Sequence, residues 1–166
     1  MPEDVTDVVL TIPAMDGQYH VRTRPGVEND WPGSADGLLV GEDNWVTVLC
    51  GTQFGPVDLT VRRHPGRPAE AIAADWDMSA EWSLESARGE LLIRDIYSSN
   101  DPTIIATPTG WLRLRISVRG RLAASQVQGQ INEPVESHLL EAWPVDIREE
   151  PLVARGPDEL AQYLVG

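Results

Sequence analysis

The side chains able to do acid–base, nucleophilic or metal chemistry are few and scattered along this chain. The three histidines, His20, His64 and His138, stand far apart, and none falls in a metal-type spacing such as HxH or HxxxH. Nucleophilic catalysis needs a serine or cysteine beside a general base, and no local signature of that pairing occurs. The single cysteine, Cys50, lies on the apolar side of "WVTVLC", where a buried, inert thiol is expected. In "DWDMSAE" the carboxylates Asp75, Asp77 and Glu81 crowd together, but the glycine and twelve-residue ligand spacing of a calcium loop are missing. No glycine-rich phosphate cradle follows a strand. The expectation is a protein with no catalytic residues, no metal and no cofactor.

Recognition chemistry is better represented. Six tryptophans stand against one phenylalanine, and several keep acidic company: Asp30 before Trp31, Glu42 and Asp43 before Trp45, Asp75 and Asp77 around Trp76. Trp31 sits in "VENDWPGSADG", among residues that favour exposed turns, whereas Trp45, Trp82 and Trp143 suit burial. An exposed indole ringed by carboxylates is what a hot spot for a basic partner requires. Asp30, Trp31, Glu42, Asp43, Asp75, Trp76 and Asp77 are therefore the expected partner-binding set.

The opposite charge is concentrated in "GWLRLRISVRGR". Residues 111–131 hold four arginines and no acid, in a chain of formal net charge -13 with no lysine. Arginine's planar fork suits carboxylates, so cross-strand ion pairs with Glu81 and Glu85, or with Glu136 and Glu141, are expected. The alternative is a phosphate or acidic-ligand site on Arg113, Arg115 and Arg119.

The charge excludes some functions. A molecule this acidic repels nucleic acid and anionic membrane and attracts basic surfaces. No stretch approaches a membrane span, the acidic N-terminus is unlike a secretory signal, and one cysteine forms no internal disulfide. A cytoplasmic protein is expected.

The elements that must position these residues have a period of two. In "WLRLRISVR" Leu112, Leu114, Ile116 and Val118 share one face, and Arg113, Arg115, Ser117 and Arg119 the other. "WVTVLC" and "VDLTVRR" alternate in the same way and read as a hairpin across "GTQFGP". "DVVLTI", "QYHVRT", "SAEWSLES" with an acidic outer face, "LLIRDIY", "QVQGQI" and "SHLLEAW" complete eight or nine strands. Glycine- and proline-rich turns separate them. At 166 residues and 42% hydrophobic content the chain can bury a core without staples. The expected fold is all-β, an antiparallel β-sandwich of jelly-roll type over residues 1–148. A linker and short C-terminal helix over 149–166 follow, with Pro157, Asp158 and Glu159 at the helix start.

The order of "GQYHVRT", "NDWPGSADGLLVGEDNWVTVLCGTQFGPVDLTVRR", the acidic strands, "TPTGWLRLRISVRG" and "ESHLLEAW" resembles the competence protein J family of small bacterial nuclease inhibitors. The resemblance spans roughly residues 8–145. It implies a compact β fold without catalytic residues that binds and blocks a nuclease, with no contact residue carried over individually. The tail from Glu150 to Gly166 has no counterpart in the family pattern. Two readings from other classes stand beside it: a β-sandwich that holds a small molecule or carbohydrate, and a structural subunit of a larger assembly.

Overall fold

The computed structural model describes residues 5–25, 33–97 and 101–166. In chain order these form β1 (Thr6–Met15), β2 (Gln18–Arg22), β3 (Leu39–Gly41), β4 (Trp45–Leu49), β5 (Phe54–Arg63), β6 (Met78–Ser86), β7 (Glu90–Asp95), β8 (Thr103–Ala106) and β9 (Gly110–Arg119). The helix α1 (Arg121–Ser125), β10 (Ser137–Pro144), β11 (Leu152–Arg155) and the one-turn helix α2 (Ala161–Leu164) follow. No described helix is long and apolar enough to cross a membrane.

Nine strands follow one another in a hydrogen-bonded path, β11-β6-β9-β10-β5-β1-β2-β4-β3, with β7 attached to β2 and β8 to β7. The path curls because β1 and β2 part company at once. A tight turn at Asp16 and Gly17, with φ of 50° and 73°, joins them, which is the two-positive-φ geometry that hairpins favour. They then pair only at Met15 and Gln18. Beyond that point β1 runs along β5, while β2 lies between β4 and β7. The two halves of the sheet thereby fold over a shared core.

The alternation in the sequence decides what fills that core. Leu112, Leu114, Ile116 and Val118 of β9 all point inward, as do Val57, Leu59 and Val61 of β5 and Val46 and Val48 of β4. Each such aliphatic side chain contributes roughly 1.5–3 kcal/mol by leaving water.

Several expectations need correction. The fold is mostly β with a short C-terminal helix, but it is a curled open sheet, and β5 pairs with β10 in parallel where an all-antiparallel arrangement was expected. Nine strands lie on the hydrogen-bonded path, within the expected eight or nine, and β7 and β8 branch from it. β4 and β5 do not form a hairpin: "GTQFGP" carries the chain from one half of the sheet to the other, and each strand pairs elsewhere. Gly51 in this crossing lies so close to α1 that a Cβ would come within 1.8 Å of the Arg121 carbonyl oxygen. "QVQGQI" is not a strand, because α1 precedes it and residues 126–131 leave the helix as turns. Within the expected linker, Leu152–Arg155 form β11 and pair antiparallel with β6.

The C-terminal segment is pinned by one arginine. Arg121 is fully buried, and its Nη1 donates to the carbonyls of Gly37 and Leu49 at 2.9 and 3.0 Å. Its Nε and Nη2 reach both carboxylate oxygens of Asp158 at 2.9 and 2.7 Å. Asp158 also accepts from the Ala161 backbone N–H, at 2.9 Å, at the start of α2. One guanidinium thus ties the tail to the turn before β3 and to the end of β4.

Candidate functional site

The arginine strand is the natural starting point, because its second face determines what the surface can offer. β9 lies between β6 and β10, and the face opposite the core is not open to water. Arg113 donates from Nε to Glu81 at 3.0 Å and from Nη1 to the Ser83 hydroxyl at 3.0 Å. It also reaches the carbonyls of Glu149 and Glu150 at 2.9 and 2.7 Å. Arg115 donates to Glu141, directly opposite it on β10, at 3.0 Å from Nε. His64 Nε2 lies 2.8 Å from the other Glu141 oxygen. Two segments roof this layer, the stretch 65–77 and the stretch 145–151. Arg67 anchors the first, reaching Glu81 and Glu149 and stacking 5.1 Å from the Trp143 ring centroid.

The expected ion pairs of Glu81 and Glu141 are therefore present, within a buried layer. Glu85 is exposed instead, and Glu136 faces the core. The arginines of the alternative anion site are engaged within the protein as well. Arg113 and Arg115 have their donors engaged, and Arg119 forms an ion pair with Asp75 and stacks 4.6 Å above the Trp76 ring.

The expected partner-binding residues fall into two separate corners. Asp30 and Trp31 lie outside the described residues. Asp75, Trp76 and Asp77 lead into β6 at one end. Asp75 holds Arg119, Trp76 lies beneath that guanidinium, and Asp77 accepts from the Gly120 N–H at 3.0 Å. Asp77 and Glu159 line a hollow of about 310 Å³ beside Pro157. Glu42 and Asp43 sit at the other end of β6, where Asp43 O accepts from the Glu85 N–H at 2.7 Å and Glu42 O from the Trp82 indole at 3.0 Å. Asp43 and Glu150 share Arg148, at 2.9 Å each. The strand rise puts the two corners about 26 Å apart, so they are not one compact cluster.

A polar cluster that the sequence reading missed lies on the core side of β10. His138 Nδ1 is 2.8 Å from the Tyr19 hydroxyl, and its Nε2 is 2.7 Å from Glu136 Oε2. Glu136 Oε1 accepts from the Thr52 N–H at 2.6 Å. Burial alone would raise the Glu136 pKa, but the hydrogen bond and charge of His138, with the Thr52 bond, hold it below the usual carboxylate value. Burial and the Glu136 charge push the Cys50 thiol well up. The donor atoms of Cys50, Glu136 and His138 lie within 4.8 Å of one another, close enough to hold an ion. Both imidazole nitrogens are already hydrogen-bonded, so a metal would have to break that chain. The signal in the sequence is Glu136-x-His138 entering a strand, too common a spacing to single out.

A groove of about 510 Å³ runs under the 65–77 segment, with His64, Arg115 and Glu141 at its polar side and Ile72, Trp76 and Leu139 at its apolar side. Its His64, Arg115 and Glu141 side chains are hydrogen-bonded to one another through the Glu141 carboxylate.

Known structures give the whole arrangement a context. The chain superposes on the crystal structure of ComJ from Bacillus subtilis, described as an inhibitor of the DNA-degrading activity of NucA. The TM-score is 0.65 with 9% sequence identity, covering 86% of this chain and 100% of that one. This chain shares the ComJ fold. A second solved structure, crocagin biosynthetic gene J, matches with a TM-score of 0.51 and 13% identity over 87% of this chain and 99% of that one. No family model and no curated protein matches the sequence. The resemblance to the competence protein J family noted from strand order thus holds at the level of the fold.

Proposed function

We propose that this protein is a noncatalytic, cytoplasmic inhibitor or immunity-type protein that binds a basic partner, a nuclease in the first place. The observation that carries the reading is how the charge is distributed over the ComJ-like fold. The arginines of β9 are spent internally on Glu81, Glu141 and Asp75. Exposed carboxylates such as Glu42, Asp58, Glu85, Asp146 and Glu159 have no ion pair with a described residue. A nuclease cleft is electropositive because it binds polyphosphate, so an acidic surface is steered to it and can occupy its phosphate sites.

The partner face is assigned to Asp75, Trp76 and Asp77, with Asp30 and Trp31, and with Glu42 and Asp43 at its far end. A standard interface of about 800 Å² per partner is roughly wide enough to reach from one corner of β6 to the other. The test is affinity capture at low salt with the wild type and with an Asp75→Ala, Trp76→Ala, Asp77→Ala variant as baits, followed by an assay of DNA degradation by what is captured. The expected result is a DNA-degrading activity captured by the wild type, suppressed by it in solution, and released by the variant. Equal capture by both baits, or degradation unaffected by added protein, would overturn the reading.

One observation favours a second reading, a small-molecule binder: the groove beneath residues 65–77 combines an apolar wall with the His64, Arg115 and Glu141 network.

A further inference from the structure

Among the described residues, the longest unpaired sheet edge belongs to β1. It pairs with β5 at ten consecutive positions, from Thr6 opposite Arg63 to Met15 opposite Phe54. On its other edge it meets β2 only at Met15. Thr6–Ala14 therefore form no backbone ladder on that edge with any described residue, although β7 passes close to part of β1. The remaining edges are blunted. β3 has three residues, and the N–H and carbonyl of its Leu39 are taken by Asp36 and the Ser34 hydroxyl at 2.8 and 2.7 Å. β8 and β11 have four residues each, and β11 is irregular after Val153. Shortness, bulges, charge and proline are how edges are kept from pairing; β1 has a proline at Pro13, near its end, but its centre, Val8-Val9-Leu10-Thr11-Ile12, has none of these. Val9 is 76% exposed, and Val8 and Leu10 are only partly covered by the core.

Charge determines which partner fits. A molecule of net charge -13 repels its own copy over most of its surface. β1 is the exception, a nearly neutral strip whose single charge, Asp7, is held by Arg62 Nε and Nη2 at 2.8 and 3.0 Å. A basic partner gains nothing from such a strip, whereas a second copy of this chain meets no repulsion there. We infer that β1 is a self-association surface, pairing antiparallel with β1 of a second copy about a two-fold axis at Val9. This register sets Val8 opposite Leu10 and Asp7 opposite Thr11, so no carboxylate faces another. The contact is isologous, and it joins the β5/β1 side of both sheets into one continuous sheet.

Sedimentation velocity over a wide concentration range tests this with the full chain. The wild type is expected to show a reversible dimer that tightens as salt rises, because screening removes the residual like-charge repulsion. Val9→Lys places like charges across the axis and is expected to weaken the dimer roughly tenfold or more, with circular dichroism and thermal midpoint unchanged at so exposed a position. Val9→Cys is expected to give a dimer joined by a short bifunctional thiol cross-linker, because directly opposed residues bring their Cβ atoms within about 4.5–5.5 Å, just beyond the span of a disulfide. Val153→Lys on β11 is expected to leave the dimer intact. A wild type that stays monomeric at high salt, a dimer unmoved by Val9→Lys, or loss of the dimer with Val153→Lys would overturn the assignment. None of these readouts depends on the proposed inhibition.

Discussion

The two faces of β9 and β10 bury polar groups in opposite ways. On the core face, Tyr19, His138 and Glu136 form a single chain of hydrogen bonds in an otherwise apolar interior, and the carboxylate is held by one imidazole and by Thr52. On the outer face, Glu81 is held by both Arg113 and Arg67, and Glu141 by both Arg115 and His64. One network has no spare member and the other is redundant. Redundancy sets how much the loss of one residue costs, and it separates the face that specifies the fold from the face that neutralises the surface.

The largest effect is expected from breaking the core-side chain. His138→Phe leaves Glu136 buried without its imidazole, and urea denaturation should report a loss of about 3–5 kcal/mol. On the outer face, Arg113→Met should cost less, about 2–3 kcal/mol, because Arg67 still reaches Glu81 and because the carbonyls of Glu149 and Glu150 lie at the edge of the layer. Adding Glu81→Leu to Arg113→Met should recover part of that loss, as replacing both members of a buried pair often does. Equal costs for His138→Phe and Arg113→Met would dissolve the contrast.

Acid sharpens the comparison next. His20 on β2 is held at a pKa of about 4, by burial first and by the Arg22 guanidinium second. Its folded value is depressed, so the unfolded chain binds the extra proton. Its contribution is therefore complete above pH 6.5 and declines as pH falls towards 4, by on the order of 3 kcal/mol. Glu136 is depressed below 4.5, so its contribution is lost only as pH falls beneath that value. Denaturation measured from pH 7 to 3 should show two stages, and His20→Asn should flatten the first.

The smallest effect on stability is expected at the 75–77 corner. Trp76→Ala removes a half-buried indole that lines the groove and stacks on Arg119, at a cost of about 1–2 kcal/mol, so the thermal midpoint should fall only slightly while partner capture is lost.

The sequence carried the inward set of β9 in full, because period two fixes which side chains share a face. It did not carry what lies on the other face. An alternating strand reads the same whether its polar side meets water or a roof, and the roof comes from residues 65–77 and 145–151, which have no periodicity. The partners Glu81 and Glu141 were legible because arginines seek nearby acids, but their burial was not. The scattering of the tryptophan–acid set was equally hidden, since two corners at opposite ends of β6 are set by strand length and pairing. The parallel pairing of β5 with β10 depends on a crossover that local turn residues do not reveal. The chain of Tyr19, His138, Glu136 and Thr52 joins three regions that only the curled sheet brings together.

The most direct test of the inhibitor account is a titration of the captured DNA-degrading enzyme with this protein at low and at high ionic strength. The account predicts stoichiometric loss of DNA degradation at low salt that weakens as salt screens the acidic face. Degradation that continues unchanged at both salt concentrations, or inhibition equally strong with the Asp75→Ala, Trp76→Ala, Asp77→Ala variant, would contradict it.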